Sequence, residues 1–164
     1  MYTTVVMDPP WAERGGGKIT RGAQKHYPLM NEHQIIEAVL QCPHWSLDPD
    51  AHLYLWVTNN FLESGLFVMR ALGFRYVTNV VWAKQCIGLG QYFRGQHELA
   101  LFGVRVGGRG TVHRTDSRSI SSLIRADRGK HSSKPDSFYD QVEARSAGPY
   151  LELFARSSRE GWVG

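Results

Sequence analysis

Apolar residues in this chain gather into short, nearly unbroken runs, and the stretches between those runs space their apolar side chains like helices. The runs lie at residues 3–7, 52–57, 76–83, 98–104, 120–124 and 150–155. Strands covered on both faces read this way, whereas a strand with one wet face alternates. Residues 31–40 place Ile35, Ile36, Val39 and Leu40 at helical spacing. Residues 60–72 do the same with Phe61, Leu62, Leu66, Val68, Met69 and Leu72 before a stop at Gly73. Residues 134–145 follow with Phe138, Tyr139 and Val142, and put Pro135 in the first turn. Strands alternating with helices predict a three-layer α/β domain, a mainly parallel sheet with helices on both faces. Trp56, Trp82 and Phe102 fall inside strands and read as core. In such a sheet ligands gather at the carboxyl ends of the strands, so the residues just after each strand are where chemistry is expected.

The chain length, 164 residues and 18.6 kDa, suits one domain over residues 1–164. Such a chain buries roughly 70% of its unfolded surface and needs neither disulfide nor metal to hold it. Cys42 and Cys86 are too few for a disulfide framework or a zinc knuckle, and the seven histidines lack ligand spacing, so no metal is expected. Asp8 interrupts the first apolar run and later ones are broken within a dozen residues. The expectation is a soluble, cytoplasmic domain with no membrane contact.

Net charge is +4, but its placement matters more than its size. Residues 105–131 hold seven Lys or Arg, Arg114 and Arg118 among them, against Asp116 and Asp127. Residues 11–26 hold Arg14, Lys18, Arg21 and Lys25 against Glu13 and include Gly15-Gly16-Gly17. Both segments read as mobile surface loops suited to a polyanionic partner. Gly17-Lys18 lacks the glycine spacing and the hydroxyl residue of a phosphate loop, and Ser132 and Ser133 stand in no nucleophile pattern.

The first strand delivers Asp8-Pro9-Pro10-Trp11. Two prolines fix φ twice and remove two donors, which presents the Asp8 carboxylate and the Asp8 and Pro9 carbonyls as a rigid acceptor array. An indole ring follows. Acceptors beside a stacking surface suit a planar substrate bearing an NH2 group, whose nitrogen is a poor nucleophile until hydrogen bonds orient it. The plainer reading is a stiff turn in which Asp8 caps backbone.

Further blocks follow in a familiar order: Lys25-His26-Tyr27-Pro28-Leu29-Met30, Leu53-Tyr54-Leu55-Trp56-Val57-Thr58-Asn59, Val80-Val81-Trp82-Ala83-Lys84, Glu98-Leu99-Ala100-Leu101-Phe102-Gly103-Val104, His131-Ser132-Ser133-Lys134-Pro135-Asp136 and Leu151-Glu152-Leu153-Phe154-Ala155-Arg156. With the tetrapeptide they cover nearly the whole chain. The sequence resembles the adenine amino-methyltransferases named after the large catalytic subunit of the messenger-RNA adenosine methyltransferase, in their small bacterial and phage branch.

That resemblance implies a Rossmann-like fold that uses S-adenosylmethionine to methylate the exocyclic amine of adenine in nucleic acid. DNA is favoured if the source is bacterial or phage, and RNA is the other choice. By the same resemblance, Asp8, Pro9, Pro10 and Trp11 form the catalytic tetrapeptide that holds the amine, with Asp8 also beside the cofactor. Lys134 and Pro135 fall at the cofactor's carboxylate end, Arg156 near its ribose, and Ser158 and Arg159 at neighbouring contacts. Trp11, Lys25, His26, Tyr27, His131 and Ser133 fall on the substrate side, and Arg114 and Arg118 extend that side as phosphate contacts. Relatives continue past Gly161-Trp162 into a Trp-Gly-Asn segment that holds the cofactor adenosine, so the expectation is a C-terminus cut short, a missing wall supplied by another chain, or a weakened or inactive protein. The alternatives are a catalytically silent nucleic-acid-binding subunit, which tends to lack the acid present as Asp8, and a cytosine amino-methyltransferase, which more often has serine in its place. A homodimer or heterodimer is compatible with all three.

Overall fold

The computed structural model describes residues 1–12, 28–88, 90, 92–109, 119–127, 133–155 and 157–164. In chain order it comprises β1 (Tyr2–Met7), α1 (Glu32–Gln41), β2 (Leu47–Val57), a 3-10 turn (Asn59–Phe61), α2 (Leu62–Ala71), β3 (Phe74–Ala83), β4 (His97–Arg105), β5 (Leu123–Arg125), α3 (Asp136–Arg145), β6 (Tyr150–Leu153) and β7 (Trp162–Val163). The strands form one sheet in the order β5-β3-β4-β2-β1-β6-β7. The pairs β1–β2, β1–β6, β3–β5 and β6–β7 run parallel, while β4 is antiparallel to both β2 and β3. One reversed strand therefore sits near the middle of an otherwise parallel sheet, and its beginning lies at the edge where its neighbours end.

Successive residues of β1 enter opposite layers. Val5 and Met7 pack with Ile35, Val39, Val68 and Met69 under α1 and α2, whereas Val6 packs with Trp56, Trp82, Phe138 and Val142 under α3. This is why the run shows no alternation: both faces of the strand are dry. Helix α1 starts at a capping box in which Asn31 accepts the Gln34 backbone N–H (3.0 Å) and Gln34 accepts that of Asn31 (2.9 Å). Helix α2 lies so close to the sheet that a Cβ at Gly65 would sit 2.4 Å from Val57 Cγ1. Gly73, at φ +84°, then turns the chain into β3.

β2 begins at Leu47, five residues before the run that marks it, and other expected boundaries differ as well. The run at 120–124 becomes a strand only at Leu123–Arg125, because the Ser121 hydroxyl accepts the Leu123 N–H (3.1 Å) in a turn and pairing with β3 begins at Leu123. The run at 150–155 ends at Leu153, where Phe154 takes φ +64° and leaves the sheet. Pro135 is the N-cap of α3, in extended backbone, and not a first-turn residue. β7 was not foreseen; its Trp162 stacks on Tyr150 at 4.6 Å and donates from Nε1 to Glu143 (2.8 Å). Among the described residues no helix is long and apolar enough to cross a membrane, and no group of His, Cys, Asp or Glu is placed to hold a metal.

Candidate active site

At the carboxyl end of β1 the chain bends immediately. Trp11 N–H donates to Pro9 O (2.9 Å), while Met30 N–H donates to Pro10 O (2.9 Å) and Ala12 N–H to Met30 O (3.1 Å). The Pro9 carbonyl is thus taken up in the bend, which corrects the expectation that it joins an open acceptor array. Trp11 also differs from expectation. Its ring is buried against Phe61 (5.5 Å between centroids, 24° between planes), and Nε1 donates to Trp56 O (2.9 Å). An indole with an apolar face and one satisfied donor is a core residue. It fixes the bend rather than offering a plate to a base.

What the bend presents is Asp8. Its carboxylate lies 3.0 Å from Lys134 Nζ, and the same ammonium lies 2.9 Å from Glu98 Oε2. Glu98 pairs in turn with Lys84. Four alternating charges therefore run along the carboxyl edge of the sheet, contributed by the end of β1, the segment before α3, the start of β4 and the end of β3. Each ammonium also sits over an indole, Lys134 over Trp56 at 4.8 Å and Lys84 over Trp82 at 4.7 Å.

Burial works against the Lys134 ammonium, yet the charges of Asp8 and Glu98 outweigh it and hold its pKa above the ordinary lysine value. Burial likewise pushes Glu98 up, but Lys134 and Lys84 pull it down to about 2. The ordinary value is 4.5, so ionised Glu98 adds stability above pH 4.5 and that contribution is lost as pH falls from there towards 2. At roughly 1.4 kcal/mol per unit the contribution is about 3 kcal/mol. Urea unfolding followed from pH 6 down to pH 2 is expected to show this loss in the native chain, and Glu98→Gln is expected to flatten it. An unchanged acid limb in the variant would mean that the charge of Glu98 plays no part in acid unfolding.

Beside Asp8 opens a cavity of about 320 Å³, lined by Ser133, Lys134, Tyr139, Glu152, Phe154, Ser158 and Arg159 among others. Tyr139 OH donates to Glu152 Oε1 at 2.7 Å. Burial, with the neighbouring Asp8 charge, raises the Glu152 carboxyl, although the Tyr139 hydrogen bond opposes it. Arg159 stacks on the Tyr139 ring at 4.7 Å and reaches Glu143 (3.2 Å), Asp136 (3.4 Å) and Asp140 (3.4 Å) along α3. Phe154 meets the cavity through its φ of +64°, a conformation bulky side chains rarely adopt and one that tends to mark functional positions. A larger cavity of about 400 Å³ lies elsewhere, between β3, β4 and α3, lined by Tyr54, Phe102 and Gln141 among others. Among the described residues its lining holds no carboxylate and no member of the Asp8 network, whereas the smaller cavity holds both.

Of the expected site residues, Asp8, Ser133, Lys134, Ser158 and Arg159 meet at this cavity. Pro9, Pro10 and Pro135 shape its backbone without lining it. Lys25, His26, Tyr27, Arg114, Arg118, His131 and Arg156 lie outside the described residues, as do most of the two basic segments. Glu98, Lys84, Tyr139, Glu152 and Phe154 were not foreseen as site residues. Glu98 had a readable signal: no helical stretch separates the third run from the fourth, and neighbouring strands joined without a helix commonly pair antiparallel. That reversal carries the start of the fourth run to the ligand edge.

The donor set suits a ligand that bears both signs of charge. Lys134, Arg159 and the serine hydroxyls can receive a carboxylate or ribose hydroxyls, and Asp8 and Glu152 can face an ammonium or sulfonium, so S-adenosylmethionine fits the residues present. Comparison with known proteins points the same way. The chain is 26% identical over 176 residues to the N(6)-adenosine-methyltransferase catalytic subunit METTL3 of Homo sapiens, a match covering 99% of this chain and 27% of that protein. It is 26% identical over 174 residues to the N(6)-adenosine-methyltransferase MT-A70-like of Arabidopsis thaliana, covering 99% and 23%. It is 24% identical over 173 residues to the N(6)-adenosine-methyltransferase MT-A70-like protein of Drosophila melanogaster, covering 99% and 26%. The chain thus spans about a quarter of the length of these relatives. The family model MT-A70 matches residues 2–164, from the first strand through the last. A sheet with one reversed strand, an acid at the end of its first strand and an unbroken family match lead to one conclusion: this chain belongs to the MT-A70 family.

Proposed function

We propose that the chain transfers a methyl group from S-adenosylmethionine to the exocyclic amino group of adenine in nucleic acid. The observation that carries this reading is the Asp8 carboxylate, held 3.0 Å from the Lys134 ammonium on the wall of a cavity with donors and acceptors for a zwitterionic cofactor. The cofactor supplies an already activated methyl on a positively charged sulfur. Asp8 accepts an N–H of the incoming amine and orients its lone pair towards the cavity. Lys134 fixes the Asp8 carboxylate in direction, while Glu98 and Lys84 fix Lys134. Glu152 and Tyr139 keep the opposite wall polar. Such positioning is worth roughly 7 to 11 kcal/mol of barrier. With the cofactor bound, methyl transfer would leave one proton to be lost from the amine, and the Asp8 carboxylate would be placed to accept it.

The relatives named above are adenosine methyltransferases, which favours adenine over cytosine as the base. Deoxyadenosine remains the reading taken from the sequence, and adenosine is the one those names favour. Incubation with S-adenosylmethionine and unmodified DNA or RNA, digestion to nucleosides and mass spectrometry are expected to reveal N6-methylated deoxyadenosine or adenosine. Methylcytosine as the product would overturn the base assignment. No methylated nucleoside, together with no calorimetric binding of S-adenosylmethionine, would favour a silent binding subunit.

A further inference from the structure

Residues 84–96 join β3 to the reversed β4, so this connection leaves the sheet at the same edge as Asp8. Its base is bonded into the site: Lys84 N–H donates to Gln96 O (2.8 Å), and the Lys84 side chain pairs with Glu98. Further out the two arms are tied again. Gly88 N–H donates to Gly95 O (2.7 Å), Arg94 Nε donates to Gly88 O (2.6 Å), and Gln96 Nε2 reaches Gln85 O (3.2 Å). A connection clipped at two levels is a built protrusion.

Beyond the outer clip stand two adjacent aromatic side chains, Tyr92 and Phe93, at 104% and 88% exposure, with Ile87 at 59% on the other arm. Tyr92 is held at φ +57°. A Cβ at Gly90 would fall 2.0 Å from Phe93 O, so only glycine lets the tip fold back on itself there. The backbone thus takes unusual conformations to hold two rings out in water, where large apolar groups mark a contact surface.

Resting on the nucleic-acid reading above, we infer that the Tyr92–Phe93 tip stacks on bases flanking the target adenine. Two rings and an isoleucine cover a few hundred Å² at most, well short of the roughly 800 Å² per partner that a stable protein interface needs. The same area is ample for one or two bases, whose flat faces any aromatic ring accepts. Arg94, rooted between the arms, adds a positive charge beside the rings and suits the phosphates between those bases. Tyr92 lies four residues out from Gln96, or up to roughly 13 Å of extended chain.

The test compares the full native chain with Tyr92→Ala/Phe93→Ala in anisotropy titrations of a labelled single strand containing one adenine. A second strand carries abasic sites at the flanking positions. The native chain is expected to lose about 5- to 100-fold in affinity on the abasic strand. The double variant is expected to be weaker by a similar factor on the intact strand and indifferent to the abasic change. The gap should persist at high salt, unlike a phosphate contact. Calorimetric binding of S-adenosylmethionine should be the same in both proteins. Equal affinity of variant and native chain for the intact strand would overturn the inference and leave the methyltransferase reading standing. So would a weakened variant that still senses the abasic sites, or one that only converts a dimer to a monomer in sedimentation. A native chain that binds neither strand nor S-adenosylmethionine would overturn both readings.

Discussion

Asp8→Ala is expected to lower methyl transfer by about 10³-fold or more while the protein stays folded. The size follows from the role. The target amine is a weak nucleophile, and the carboxylate is the oriented acceptor that directs its lone pair. Removing one preorganised polar group aimed at a reacting centre typically costs about 10² to 10³ in rate, and here the proton acceptor is removed with it. The fold survives because Lys134 keeps its bond to Glu98 (2.9 Å) and its place over the Trp56 ring (4.8 Å). Losing one of two partners of that ammonium costs about 1 to 3 kcal/mol. Calorimetry should still detect S-adenosylmethionine, so the deficit belongs to the chemical step. Single-turnover rates at saturating cofactor are the measurement, and activity within tenfold of the native chain would take Asp8 out of the mechanism.

Lys134→Met is expected to have the largest effect on stability. The substitution removes the charge that sits between Asp8 and Glu98, so both of these partly buried carboxylates lose the cation they share. Breaking a buried pair by deleting one partner costs about 3 to 5 kcal/mol, or a fall in melting temperature of roughly 10 °C for a domain of this size. The loss should depend on pH. Without the Lys134 charge, Glu98 rises from about 2 towards its ordinary 4.5, so the stability that the native chain loses between those two values is already missing. Native and variant should therefore differ most at neutral pH and converge as pH approaches 2. Lys134→Arg keeps the charge and should recover part of the gap. A methionine variant as stable as the native chain at pH 7 would show that this ammonium is not what neutralises the two acids.

Much of this arrangement is readable from the chain. The continuous apolar runs report strands buried on both faces, the bend after the first run yields Asp8, and Lys134 stands at the start of the last helix. Trp11 shows where such reading stops. A ring beside a proline-stiffened turn faces either ligand or core, and Phe61, fifty residues away, decides which. Glu98 was hidden by the assumption that chemistry follows strands, since a reversed strand brings its first residues to that edge. Glu152 was hidden inside Leu151-Glu152-Leu153, where the flanking leucines advertise core and only the lone acid hints that one layer holds a polar partner, Tyr139. Nothing in Phe154 announces a left-handed backbone, so the apolar run extends past the strand Tyr150–Leu153.

The bridge from Asp8 through Lys134 to Glu98 joins the beginning, the end and the middle of the chain. The β3–β4 pairing forms locally, but the bridge closes only after β1 and the segment before α3 have docked on either side of it, contacts that loop-closure entropy makes slow. A nascent or partly opened molecule therefore has no oriented carboxylate to offer. Competence arrives with the last docking event and is the first thing surrendered when either end of the chain comes loose.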